Sequence, residues 1–267
     1  MSLIRRSLFF NFLPNLAVIA SIAVATAVIV GAFLVGDSVR GSLRFQALDR
    51  LGGIDGLLLS RHFLEKATLD DWRNQLASHS SNVELHGFIL FPRSTVETGG
   101  ESNLRRAGSV LAIGTDDAFW KLSPTQPSKL PQDGEAVVNT ELAQELNLKV
   151  GDELTLRIPA EQAVPADSPL GRREGQTVGI PRIKVVDIIP ATGLGRFDIR
   201  SNQRVPKNIF VSARFLQEKI DQPGAANAIA VSLPRDISKV GTLKDSSMLS
   251  EVMGSFKPSL ADLGLMI

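Results

Sequence analysis

Three histidines, two pairs of adjacent acids and one glycine spacing are the features of this sequence with the residue types for chemistry. His62, His79 and His86 are its only histidines. None stands in the H-x-x-x-H or related spacing that places two imidazoles around a zinc ion. The chain has no cysteine, which excludes thiol catalysis, thiolate metal sites and disulfides together. Asp70-Asp71 and Asp116-Asp117 are carboxylate pairs of the kind that divide acid and base work. Each, however, opens a stretch that reads as a helix, where the positive end of the dipole favours negative charge. Serines are plentiful without a G-x-S-x-G elbow. Gly36 and Gly41 have the spacing of a phosphate-binding loop, yet Ser42 stands where the lysine of G-x-x-x-x-G-K-[ST] belongs, and no strand precedes. These residues predict no catalytic constellation, no metal site and no cofactor. If ATP drives this protein, another chain binds it.

The element that must position everything else is residues 16–35, LAVIASIAVATAVIVGAFLV, twenty residues without a charge. A bilayer core of about 30 Å needs about 20 helical residues at 1.5 Å each, so the run predicts a membrane helix over 16–36 behind a leader of residues 1–15. With no tyrosine in the chain, Phe9, Phe10 and Phe12 are the residues available for a headgroup belt. Ala25-Thr26-Ala27 offers the competing reading of a cleaved signal, against which stand the apolar residues that would remain from Val28 onward. Arg5 and Arg6 precede the run while Arg40, Arg44 and Arg50 follow it, which leaves the positive-inside rule close to silent. Ala23, Ala27 and Gly31 share one helix face at the small-xxx-small spacing that lets membrane helices approach closely. Val39, Leu43 and Leu51, with Phe45 and Leu48 between them, continue the helical pattern through 37–52 until Gly52-Gly53 ends it. That predicts a stalk reaching about 20 Å beyond the lipid.

Beyond residue 36 stand 27 basic and 28 acidic residues, a net of −1 that excludes the basic excess of a nucleic-acid binder. Residues 53–267 read as one mixed body. IDGLLLS (54–60) predicts a buried strand, and TLDDWRNQLAS a helix capped by Thr68 with Leu69, Trp72 and Leu76 on one face. VELHGFILF (83–91) and AGSVLAIGT (107–115) predict strands around a polar loop. Ala136–Val138 is a short strand, Asn139 or Thr140 caps a helix carrying Leu142, Ala143 and Leu146, and Gly151-Asp152 turns into the alternating strand GDELTLRI. IPRIKVVDIIP, NIFVS and NAIAVSL are further strands, with SARFLQEKI a helix capped by Ser212. Two loops have the composition of contact surfaces: 191–204, with Arg196, Arg200 and Arg204 around Phe197, and the long polar loop 159–179 with Arg172-Arg173.

The order and spacing of these pieces carry a resemblance over nearly the whole chain. The N-terminal helix with its stalk, VLAIGTDDAFWKL, GEAVVNTELAQELNLKVGDELTL, IKVVDIIPATG, VPKNIFVSARFLQ and NAIAVSL together resemble the periplasmic core domain of MacB/FtsX-like ABC transporter permeases. The resemblance implies an α+β fold: a transmembrane helix with a helical stalk, then an extracytoplasmic domain of two subdomains, with the N-terminus cytoplasmic. Its implied partners are membrane lipid, a cytoplasmic ABC ATPase subunit, and other permease helices or a second permease copy. Its implied role is mechanical, coupling ATP turnover to movement of the outer domain for export or extraction of a substrate, without enzymatic chemistry of its own. The resemblance also implies three later membrane helices. Here residues 245–256 suit a helix with Leu249, Val252, Met253 and Phe256 on one face, and the sequence then runs to LADLGLMI. The expectation is a permease-type subunit or its N-terminal fragment, incomplete at the C-terminus. The alternative is a single-pass anchored binding or adaptor module without an ATPase, and a third reading is an anchored hydrolase.

Overall fold

A computed structural model describes residues 10–79, 83–100, 103–123, 125–159, 177–199 and 204–233. Helix α1, Phe12–Leu51, is one uninterrupted helix of 40 residues, about 60 Å long. It is long and apolar enough to cross a membrane by length and composition. Gly36 and Gly41 lie within it with open space around their α-carbons, so they mark no break. The helix ends where Gly52 adopts φ +54°, the left-handed conformation glycine takes at no steric penalty. Residues up to Ala47 form one compact unit and Leu48 onward a second, so the last helical turn belongs to the domain.

The domain is built from β1 (Gly56–Leu64), α2 (Lys66–His79), β2 (Glu84–Thr98), β3 (Arg105–Thr115), α3 (Asp117–Trp120), β4 (Glu135–Asn139), α4 (Thr140–Leu146), β5 (Glu153–Pro159), β6 (Thr177–Ile189), a 3-10 turn at Gly193–Arg196, β7 (Lys207–Ser212), α5 (Ala213–Lys219) and β8 (Ala226–Ser232). The strand order is β1-β8-β2-β3-β7-β4-β6-β5, and β5 pairs back onto β2. Six strands therefore close into a ring, with β1 and β8 attached to its side. β2 makes this possible: Glu84–Phe88 pair with β8, Thr95–Thr98 pair with β5, and the opposite edge pairs with β3. The β3/β7 and β4/β6 pairs are parallel. Two subdomains are the expectation; the ring and its β1–β8 extension share β2 and lie within one compact unit.

All six ring strands send residues into the interior cluster, which α4 and α5 close with Leu142, Leu146 and Leu216. The alternate residues of β2, β3, β4 and β7 (Leu90, Leu111, Ile113, Val137, Phe210) enter a second cluster on the outer side. Being buried on both faces, these strands read as continuous apolar runs rather than alternating ones. The second cluster is aromatic: Phe88, Phe119 and Phe197 lie with centroids 5.2–6.5 Å apart, and Trp120 sits 5.0 Å from Phe210, spacings at which edge and tilted aromatic contacts are favourable. A third cluster lies beneath α2, from Leu69 and Trp72 to Leu85 and Ile229.

Several local expectations change. Helix α2 begins at Lys66, two residues before Thr68, because Glu65 supplies the carbonyl that accepts from Leu69 N at 3.3 Å. Thr68 is thus inside the helix, and Asp70 pairs with Arg73 at 2.6 Å rather than lying at the helix start. Asp116 does cap, accepting from Phe119 N at 2.8 Å, and so do Asn139 and Ser212. β2 runs through Pro92 to Thr98 by means of a bulge. The proposed helix 245–256, the leader with Arg5 and Arg6, and residues 160–176 with Arg172-Arg173 lie outside the described residues.

Candidate functional site: the socket for the last turn of the long helix

The domain's most constrained polar structure surrounds residues 49–53. A glycine pair ending a helix leaves carbonyls and a tight turn to be accommodated, and here a preformed socket receives them. Gly53 N donates to Leu122 O at 2.7 Å, and Asp49 Oδ2 accepts from Gly193 N at 3.2 Å. A Cβ on Gly52 would lie 2.8 Å from Leu122 O and 3.1 Å from the Leu194 side chain. Only glycine satisfies both the φ and the clearance. Leu51 packs on the aromatic cluster with Ile54, Leu122, Leu194 and Phe197.

The opposite wall of the socket is the 3-10 turn, and two buried asparagines clamp it. Asn139 Nδ2 donates to Gly195 O at 3.1 Å and to Pro206 O at 2.7 Å. Its Oδ1 accepts from Leu142 N, as the cap of α4, and from Asn208 N, both at 3.1 Å. Asn208 Nδ2 adds bonds to Gly195 O at 3.3 Å and Phe197 O at 2.9 Å. Both side chains are fully buried, where an unmade bond would cost about 1–3 kcal/mol. Gly195 is obligatory, since a Cβ there would sit 2.3 Å from Pro190 O. Chemically this arrangement exposes no nucleophile or proton carrier. What it does is fix the end of a helix against a sheet.

The structure separates the candidate residues. Ala23 and Ala27 are exposed, and nothing lies within 4 Å of a Cβ placed on Gly31; no element of the described chain covers that face. Val39 and Leu43 are exposed, whereas Leu51 is a core contact of the domain. The contact-loop reading of 191–204 is corrected at its centre: Phe197 is fully buried among Phe88 and Phe119, because the 3-10 turn rolls it inward. Arg196 is half-buried beside it and Arg204 is exposed, while Arg200 lies outside the described residues. Asp49, Asn208 and Gly195 were not singled out by the sequence. The available signal was the glycine pair at 193 and 195, with one asparagine closing β4 and another opening β7.

One histidine has a suggestive neighbourhood. His86 Nε2 lies 3.3 Å from Ser232 Oγ and 3.3 Å from Glu84 Oε2. In a hydrolytic triad the carboxylate holds one ring nitrogen while the other takes the serine proton; here both partners meet the same nitrogen and compete for it. Burial pushes the His86 pKa down, against the opposing pull of Glu84 and Asp116. The Lys129 ammonium, bonded at 2.6 Å, holds Glu135 below the usual carboxylate range. Among the described residues no three His, Cys, Asp or Glu side chains gather as a metal site.

Neither a family model nor a curated protein matches the chain. Among solved structures, it is similar to the extracellular domain of the noncanonic ABC-type transporter YknZ from Gram-positive bacteria. That match has 8% identity and a TM-score of 0.40, over 74% of this chain and 93% of that one. It is also similar to the periplasmic region of MacB from Actinobacillus actinomycetemcomitans, at 10% identity and a TM-score of 0.40, over 77% of this chain and 96% of that one. The expected fold class, an N-terminal apolar helix followed by a mixed α/β domain, is the one observed.

Proposed function

We propose that this chain is a permease-type membrane component of an ABC transporter, held in the inner membrane by α1 with its N-terminus cytoplasmic and its domain outside. Its partner is a cytoplasmic ATPase, and its work is mechanical: displacement of the helix reaches the domain through the socket. The observation that carries this reading is the seating of Asp49–Gly53 in the domain, by Asp49 on Gly193, Gly53 on Leu122 and Leu51 on the core. A domain held by a flexible linker would not follow the motion of its anchor. Here residues 48–51 belong to the same compact unit as the domain, and Asp49 and Leu51 are fixed to it directly.

The test uses the absence of native cysteine. Thr155→Cys gives a single spin label on the domain, and its distance distribution to paramagnetic lipids in the headgroup layer is measured in membranes of the host that supplies the ATPase. A change of several Å in the distance distribution between ADP and trapped ATP is the expected result. An identical distribution in every nucleotide state, with the ATPase turning over in the same membranes, would remove the mechanical reading and leave the anchored adaptor.

A further inference from the structure

Between α3 and β4, residues 125–134 run against the outer aromatic cluster without forming a helix or strand. Leu130 packs on that cluster and Pro127 is buried. Among the described residues, 125–131 make no backbone–backbone hydrogen bond. Carboxylates hold the segment instead. Asp187 on β6 accepts from Ser128 N at 2.6 Å, and Glu135 accepts from Lys129 Nζ at 2.6 Å and from Gln132 N at 3.2 Å. Asp133 accepts from Ser212 Oγ at 3.0 Å and from Arg214 Nη2 at 2.7 Å. All five bonds lie in solvent, where charged contacts are individually weak and screened by salt. Pro127 and Pro131 fix φ at two positions and stiffen the piece between the clips.

Two further observations concern the residues this segment leads from. Trp120 is 2% exposed with its ring 5.0 Å from Phe210, and Gln126 Nε2 reaches back to Trp120 O at 3.4 Å. The Trp120 indole N–H has no hydrogen-bond partner, an uncommon state for a buried donor, and its lost hydration opposes the closed arrangement. The same stretch also adjoins the seat of the long helix. Leu122 O accepts from Gly53 N at 2.7 Å, and Ser123, next in the chain, donates its hydroxyl to Thr125 O at 2.6 Å.

We propose that residues 125–133 are a strap that opens as one unit while the ring stays folded, and that it is released when the helix turn leaves Leu122. The closed form is held by exposed carboxylate clips rather than by a backbone ladder, so it lies at the low-stability end of the domain. Leu122 carries the signal, since the residue that receives Gly53 is also the one that precedes the strap. The inference rests on the seat of Asp49–Gly53 and stands whether or not an ATPase drives the helix.

Hydrogen exchange of the full chain in detergent, read by mass spectrometry on peptides spanning 125–134, tests it. The Ser128 and Gln132 amides, bonded in the closed form, are expected to exchange at a rate that barely responds to denaturant, against the steep response of β7. Asp133→Asn/Glu135→Gln should speed that exchange about tenfold, near threefold per carboxylate, and about 0.5 M salt should act in the same direction on the parent. Gly53→Ala, which places a Cβ 3.0 Å from Leu122 O, should also speed it, whereas Gly36→Ala meets nothing within 4 Å and should leave it unchanged. Asp49→Ala, which removes the bond to Gly193 N, loosens the seat by a second route should Gly53→Ala fail to fold. Strap amides with the denaturant slope of β7 would show that the segment opens only with the whole domain, and overturn the proposal. Exchange that is unchanged when the clips are removed, or unchanged when the seat is loosened, overturns it as well.

Discussion

The side chain with the most work per atom is Asn139, which caps α4, receives Asn208 N and holds two carbonyls, Gly195 O in the turn that walls the socket and Pro206 O just before β7. Asn139→Ala removes a cap worth about 1 kcal/mol and strands several buried partners at about 1–3 kcal/mol each. Denaturant unfolding of the full chain should therefore show a loss of at least about 3 kcal/mol. Ser212→Ala, which removes a long 3.4 Å cap and an exposed 3.0 Å bond donated to Asp133 Oδ1, should cost about 1 kcal/mol. Equal losses would mean that Asn139 is merely a cap. His86 gives the second residue-scale expectation. Its folded pKa lies below the ordinary value of about 6.5 because it is buried, so the unfolded chain binds the proton more readily. Stability should be level above the ordinary histidine value, then fall as pH drops toward the folded pKa. His86→Gln should flatten that slope while leaving the separate, more acidic decline from Glu135 in place. A slope unchanged in the variant would assign it to other groups.

At the level of elements, the join between helix and domain lies inside what composition marks as stalk. Leu43→Asp falls on an exposed position and should leave the domain's thermal midpoint within about 1 °C of the parent, as surface changes do. Leu51→Asp places a charge against the aromatic cluster and should lower it by about 5–10 °C, from a loss of roughly 2–4 kcal/mol. Equal behaviour of the two would return Leu51 to the stalk. The 3-10 turn admits a similar contrast. Gly195→Ala drives a Cβ against the Pro190 carbonyl, while Gly134→Ala meets nothing within 4 Å and bears only the strain of φ +80°. The first should lose about 3 kcal/mol or more and the second about 1 kcal/mol, read from the same denaturation curves. What was legible here was local chemistry: Gly52-Gly53 as a helix stop, Asn139 and Ser212 as caps, Gly151 as a turn. Phe197 was misread because an aromatic among arginines has the composition of an interface. Its burial is decided by the 3-10 turn just before it and by Asn208 on β7, which imprint no period on the loop.

For the molecule as a whole, the strands were legible because β3, β4 and β7 are apolar on consecutive residues, but their closure into a ring was not. Closure depends on Thr95–Thr98 of β2 meeting β5, 60 residues apart at the Glu97–Arg157 pair. Register between distant strands is set by packing and bulges rather than by any local pattern. Once closed, a ring has no free edge, and only the β1–β8 extension ends in one, at β1. That difference predicts how the domain opens. Amides of β3, β4 and β7, hydrogen-bonded on both sides and packed on both faces, should exchange with solvent only through global unfolding. Those on the outer edge of β1, where His62 N bonds a serine hydroxyl two residues away, should exchange through local opening at far lower free energy. Hydrogen exchange of the full chain in detergent, followed by mass spectrometry across denaturant concentrations, separates the two classes by slope. Protection of β1 equal to that of β7 would mean the free edge is covered, and so that something beyond the described strands pairs with it. If β1 opens first as expected, the third core cluster beneath α2 opens with it, while the ring and the seated turn at Asp49–Gly53 stay closed, since Gly53 is bonded to Leu122 and Asp49 to the 3-10 turn.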